Sequence, residues 1–164
     1  MAKTLAIMRH GKSSWDYGDI SDFDRPLKES GISNTQAIAQ KIKGRGIKPD
    51  MIVSSPANRA LHTALITARE LLYPLENVVI NPVLYGESED EVLNMIKHTN
   101  DRYHHLFIFG HNPVFTDLSN LFLKQQIDNL PTSGVVILNF ETEQWMGISG
   151  KVLKSEFLLF PKSL

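Results

Sequence analysis

The chain has 164 residues, 42% of them hydrophobic and 21% charged, with a formal net charge of −1. That length suits one domain, 1–164, large enough to bury a substantial core, and the balanced charge excludes the basic surface that broad nucleic-acid binding needs. There is no cysteine, which excludes disulfides, thiolate metal sites and cysteine nucleophiles. The first apolar run, Leu5 to Met8, is shorter than a signal-peptide core, and no stretch has the roughly 18 apolar residues of a spanning helix, so no membrane partner and a cytoplasmic protein are expected.

Taken in chain order, residues 4–8 (TLAIM) form a first apolar strand, followed by a loop over 11–26 rich in Gly, Ser and Asp. A helix is predicted over 30–43, with Ile38 and Ile42 four apart and Gly44 and Gly46 as stop signals. Residues 50–54 (DMIVS) read as a second strand. Ser55 and Pro56 then open a helix over 57–72, which would place Ala60, Leu61, Ala64, Leu65, Ala68 and Leu72 on one buried face. Residues 77–80 and 83–85 are expected to be extended, and 88–97 to form a short helix with acids in its first turn. Residues 105–109 (HLFIF) read as a buried strand, followed by a helix over 113–123 capped by Asn112. Strands are predicted at 134–140 and 152–159, with Trp145 to Ile148 as a further candidate. Such alternation predicts an α/β/α three-layer fold on a mostly parallel sheet. The short connections near the C-terminus require antiparallel pairing there.

Three segments come directly after predicted parallel strands: Met8-Arg9-His10-Gly11, Ser54-Ser55-Pro56-Ala57-Asn58-Arg59-Ala60 and Gly110-His111-Asn112-Pro113. Ligands bind beyond the C-terminal ends of such strands, so the three segments are expected at one edge. Two arginines and two histidines with no adjacent carboxylate describe an anion site, and the planar guanidinium fork matches phosphate oxygens in pairs. Helix starts near Pro56 and Pro113 would add positive dipole ends. One histidine could act as a nucleophile, kept neutral by the nearby arginines, and the other could bind phosphoryl oxygens.

These residues resemble the histidine phosphatase superfamily and, within it, the compact SixA-like phosphohistidine phosphatases. Arg9-His10-Gly11 is similar to the family's first motif. Ser55-Pro56 through Arg59-Ala60 and Thr63-Ala64 is similar to its second, and Gly110-His111 to its late Gly-His. Asp24-Arg25-Pro26-Leu27 with Gly31 is similar to its first helix start, with Lys28 where the family has Thr. The resemblance implies the phosphoglycerate-mutase-like fold and a phosphatase that works through phospho-His10. Arg9, Arg59 and His111 would then form the phosphate pocket, and Gly11 would turn the backbone close to His10 and hold its other ring nitrogen. No metal and no cofactor are implied.

Asn112 is read as the helix cap first and a ligand second. Many members carry an acid after the third strand; here the candidate proton donor is Glu87, with Asp16, Asp22 and Asp24 as rivals. Between Pro82 and Glu89 there is no room for a segment capping the site, which favours a phosphorylated protein, and phosphohistidine in particular, over a small phosphate ester. A monomer is expected. A general phosphomonoesterase and a non-catalytic phosphate-binding module are the alternatives. Of Trp15, Tyr17 and Phe23, two are expected to pack inward and one to rim the substrate.

Overall fold

The computed structural model describes residues 2–161. Its six-stranded sheet has the order β3-β2-β4-β1-β5-β6. Strands β1 (Lys3–Arg9), β2 (Met51–Ser54), β3 (Val79–Ile80) and β4 (His105–Gly110) are mutually parallel, while β5 (Val135–Phe140) runs antiparallel to β1 and β6 (Leu153–Leu159) antiparallel to β5. The mixed sheet with antiparallel pairing at the C-terminal side is therefore as expected.

Side chains alternate across the sheet and build two cores. On β1, Leu5 and Ile7 enter the layer shared with α3 (Glu89–Lys97) and α4 (Val114–Asn120), where Val92, Ile96, Phe115 and Leu118 are buried. Ala6 and Met8 face the opposite layer, beneath α1 (Glu29–Gly44) and α2 (Asn58–Glu70). Gly46 leaves α1 with φ +74°, a left-handed conformation that glycine adopts without strain. Lys3, at the N-terminal end of β1, is fully buried; its ammonium donates to the Asp101 carbonyl and, at 3.1 Å, to the Tyr103 carbonyl. Among the described residues no helix is long and apolar enough to cross a membrane.

The structure corrects several expected elements. Residues 83–85 are not extended: Pro82–Tyr85 form a 3-10 turn, opened by Asn81, whose side chain accepts from Val83 N at 3.0 Å. The stretch at Trp145 is likewise a 3-10 turn, Trp145–Gly147, because the indole is drawn inward and donates to the Tyr103 carbonyl at 2.9 Å. Helix α2 is shorter than 57–72. Leu72 lies beyond it at φ 59° and is 78% exposed, and Leu61 and Leu65 are only half-buried. The buried face is instead Ala60, Thr63, Ala64, Ile66, Thr67 and Ala68. Thr63 and Thr67 tolerate burial because their hydroxyls donate to the carbonyls one turn back, at 2.7 and 2.9 Å. Helix α4 ends at Asn120, short of 123, and has 7 residues, so it lends little dipole.

Gly31 shows why the first helix starts as it does. A Cβ there would overlap the backbone of Lys12, coming within 2.8 Å of its nitrogen. A Cβ on Gly11 would lie 2.9 Å from the Gly31 carbonyl. The two glycines let the chain after β1 lie directly on α1, which fixes the path of the loop beyond His10.

Candidate active site

Parallel register creates the site. Arg9 pairs with Gly110 and Ser54 with Phe109, so His10, Ser55 and His111 emerge side by side where β1, β2 and β4 end. Backbone bonds extend each strand end by one step: His10 N donates to Gly110 O at 3.1 Å and Ser55 N to Phe109 O at 2.9 Å. The other side of β1 is held by Arg9 N to Gly134 O and Ser133 N to His10 O, both at 3.0 Å.

His10 is buried, with Nδ1 2.7 Å from the Gly11 carbonyl. A carbonyl only accepts, so Nδ1 carries the proton and Nε2 keeps its lone pair. The Gly11 amide donates to Thr63 Oγ1 at 2.9 Å, which ties the turn after His10 to α2. Burial is the main cause that pushes the His10 imidazole down to about 3, with His111, Arg59 and Arg9 adding repulsion. The His10 and His111 ring centroids are 5.2 Å apart. His111 is lowered to about 4, first by burial and then by Arg59.

Ser55 is not the cap of α2, whose N-cap is Ala57; it holds the turn before the helix. Its Oγ accepts from Ala57 N at 3.1 Å and lies 2.8 Å from His111 Nε2. Either partner of that contact can be the donor, and it fixes the ring by Nε2, leaving Nδ1 as the other nitrogen. That atom is buried and has no hydrogen-bond partner among the described residues, and the same holds for Arg9 Nε and Arg59 Nε.

Arg9 NH1 donates to the Leu130 carbonyl at 3.0 Å, and its guanidinium is lowered from the usual arginine value by burial and by Arg59. Arg59 is held by the 3-10 turn Asp22–Asp24: NH1 donates to Asp22 O at 2.6 Å and NH2 to Asp22 Oδ2 at 3.0 Å. Two of its five N–H groups are thus used and three remain. Asp22 also accepts from Arg25 Nε, at 3.1 Å, and from Tyr85 OH, at 3.0 Å. Burial pushes the Asp22 carboxyl up, but the hydrogen bonds from Tyr85, Arg59 and Arg25 outweigh it and hold the group ionised. A cavity of about 630 Å³ opens here, lined by Asp22, Arg59, Tyr85, Glu87, His111 and Asn112, among others.

The predicted residues therefore meet: Arg9, His10, Arg59 and His111 lie within electrostatic reach of one another. Glu87 is exposed on the cavity wall, and Asp16 is exposed on the loop. Asp24 accepts from Ser21 Oγ at 3.0 Å, away from the rings. The N-cap position of α4 is Pro113 and not Asn112; Asn112 Oδ1 accepts from Thr116 N in the first turn at 3.1 Å, while its amide nitrogen donates to the Leu130 carbonyl at 2.9 Å. Sequence reasoning missed Tyr85, whose ring packs edge-on against His111 at 5.4 Å, and the part played by Thr63. Thr63 stands one turn after Arg59 on the same helix, a spacing that was available as a signal. Two of Trp15, Tyr17 and Phe23 were expected to be packed, yet all are exposed, at 72%, 56% and 39%.

The lowered histidines make a pH prediction. Unfolded, both imidazoles protonate near the ordinary value of 6.5; folded, His10 waits until about 3 and His111 until about 4. The unfolded chain thus binds more protons over that window, and stability falls as pH drops from 6.5 toward 3. Melting temperatures measured from pH 7 to 4 should decline, and less steeply in His111→Gln. An equal slope in both proteins would contradict this.

Two histidines and two arginines gathered where the parallel strands of a mixed sheet end make a cationic site suited to an oxyanion. Residues 5–84 of the chain match the histidine phosphatase superfamily (branch 1). Its fold is similar to that of a candidate phosphohistidine phosphatase SixA from Nakamurella multipartitia, with TM-score 0.83 and 20% identity over 98% of this chain and 97% of that one. It is also similar to the protein histidine phosphatase SixA complexed with tungstate, with TM-score 0.80 and 21% identity over 98% of each chain. In sequence it is 31% identical over 93 residues to a 2,3-bisphosphoglycerate-dependent phosphoglycerate mutase from Chelativorans sp., a match covering 53% of this chain and 45% of the mutase.

Proposed function

We propose that the chain is a phosphatase that works through phospho-His10 and acts on phosphohistidine side chains of proteins. One observation carries this reading: a buried, neutral His10 with Nε2 free, beside buried N–H groups of Arg9 and Arg59 that lack acceptors and the buried, unpartnered Nδ1 of His111. A phosphoryl group supplies both missing partners, an electrophile for the lone pair and oxygens for the donors.

In the first step the Nε2 lone pair attacks phosphorus and the bond from phosphorus to the leaving group breaks. Arg9, Arg59 and His111 hold the equatorial oxygens. Water then attacks, the bond from phosphorus to Nε2 breaks, and inorganic phosphate leaves. The positive field comes from side chains, so the scheme invokes no metal.

The leaving group decides the substrate class. An alkoxide needs a proton from the enzyme as it departs. A phosphorylated imidazole that carries a proton on its far nitrogen departs as the neutral ring and needs none. Asp22 is held ionised by two arginines, which suits it poorly as an acid. The chain passes from the 3-10 turn at Pro82–Tyr85 almost directly into α3, with no inserted segment over the cavity. Such a mouth admits a side chain displayed on a protein. The SixA likeness supports the same substrate, and the mutase likeness supports the alternative, a small phosphate ester.

The test is a panel run with one enzyme preparation: a histidine-phosphorylated protein, 4-nitrophenyl phosphate and sugar phosphates. Phosphohistidine should give the highest kcat/KM, and acid-labile phosphate should be trapped on His10 during brief turnover. A clear preference for sugar phosphates would replace this reading with the ester phosphatase. Absence of trapped phosphate and of any turnover would leave a binding module.

A further inference from the structure

We propose that the exposed segment Trp15–Asp24 is a docking lip for a protein substrate, one in which basic and apolar side chains flank the phosphorylated residue. The proposal rests on the reading of the pocket as a phosphoprotein site and adds what surrounds the phosphoryl group.

The segment WDYGDISDFD combines four aspartates with four large apolar side chains and contains no lysine or arginine. Every residue in it is exposed. Trp15, Tyr17, Ile20 and Phe23 stand 72%, 56%, 39% and 39% open to solvent. Apolar groups gathered on one short segment mark a contact surface more often than chance exposure does.

The lip is built, and it adjoins the pocket. Its base is closed by the bridge between Ser13 and Leu27 and by Ser14 N donating to Pro26 O at 2.8 Å. Buried Arg25 braces it from below: NH1 donates to Ser13 Oγ at 2.6 Å, Nε donates to Asp22 at 3.1 Å, and the guanidinium lies 3.5 Å from the Trp15 ring centroid. One face of Trp15 is thus used, and the residue still remains largely exposed. At the other end Phe23 packs edge-on against Tyr85 at 5.4 Å, and Tyr85 against His111 at the same distance, so rings run without a break from the lip to the pocket.

Charge selects the occupant. The interior presents Arg9 and Arg59, while the rim presents Asp16, Asp19 and Asp24, with Glu87 on the cavity wall; Asp22 is already paired with Arg25 and Arg59. A small molecule with a second anionic group would set that group against the acidic rim. A phosphorylated residue among lysines, arginines and apolar side chains satisfies both zones and covers the exposed rings.

Two pairs of synthetic peptides test this. Each pair shares one phosphorylated residue, phosphohistidine in the first and phosphotyrosine in the second, flanked by Lys and Leu in one member and by Asp and Ser in the other. Phosphate release should give the Lys/Leu member a kcat/KM about tenfold higher, shrinking as salt is added. The variant Asp19→Lys should bring that ratio down toward one. Tyr17→Ala/Ile20→Ala should slow the Lys/Leu peptide several-fold. Both variants should turn over 4-nitrophenyl phosphate at the wild-type rate. Equal rates within each pair, a ratio that survives the charge reversal, or no turnover of any peptide would overturn the lip. Phosphotyrosine peptides turned over in preference to phosphohistidine ones would instead overturn the substrate residue proposed above, with the flank ratio still reporting on the lip.

Discussion

His10→Ala should lose turnover of 4-nitrophenyl phosphate by at least about a thousandfold while keeping the fold, because in the proposed scheme Nε2 of His10 supplies the lone pair that attacks phosphorus. The His10 ring makes its one described hydrogen bond to the carbonyl of the next residue, so the strands do not depend on the ring. Far-ultraviolet circular dichroism and a cooperative melt should resemble the wild type. His10→Asn is the stricter comparison, since an amide can replace the bond to Gly11 yet offers no nucleophile. Both variants should also fail to retain acid-labile phosphate. An alanine variant within tenfold of wild type would remove the covalent step and leave direct attack by water as the route.

Arg59→Ala should lower kcat/KM by about 10²–10³, the range seen when one donor to a developing oxyanion is removed. The effect has two parts. The phosphoryl group loses a forked partner, and the Asp22 turn loses the guanidinium that binds both its carbonyl and its carboxylate. Arg59→Lys separates them, because a point charge can serve the phosphate or Asp22 but not both in the fork geometry. Lysine should therefore recover only part of the loss. Inhibition by vanadate, a phosphate-shaped oxyanion, should weaken in step with kcat/KM in both variants. Undiminished vanadate inhibition in Arg59→Ala would place Arg59 outside the pocket.

Much of the fold and site was legible in the residues because chemistry and topology coincide. Arg9-His10, Arg59 and His111 each come after an apolar run that has to be a strand, and parallel strands deliver their trailing residues to one edge. The illegible parts were decided by long-range partners. The inward pull on Trp145 comes from a carbonyl 42 residues away, so the local pattern looked like a strand. The stripe on α2 was sought in leucines, whereas the helix buries threonines that satisfy their own hydroxyls. The role of Asp22 as the clamp on Arg59 needs a loop conformation that no periodicity encodes. The exposure of Trp15 and Tyr17 overrides their composition for the same reason: their segment is braced by Arg25 and has no core to enter.

Strand β1 is paired on both sides, and the far side of its tip is finished only by Leu130, Ser133 and Gly134. His10, the proposed nucleophile, is consequently set in place by residues made more than a hundred positions later. A ribosome-bound chain that ends before that stretch would hold the Arg-His-Gly motif without a working pocket. Onset of catalysis during refolding or synthesis would then report that the most sequence-distant pairing in the sheet has closed.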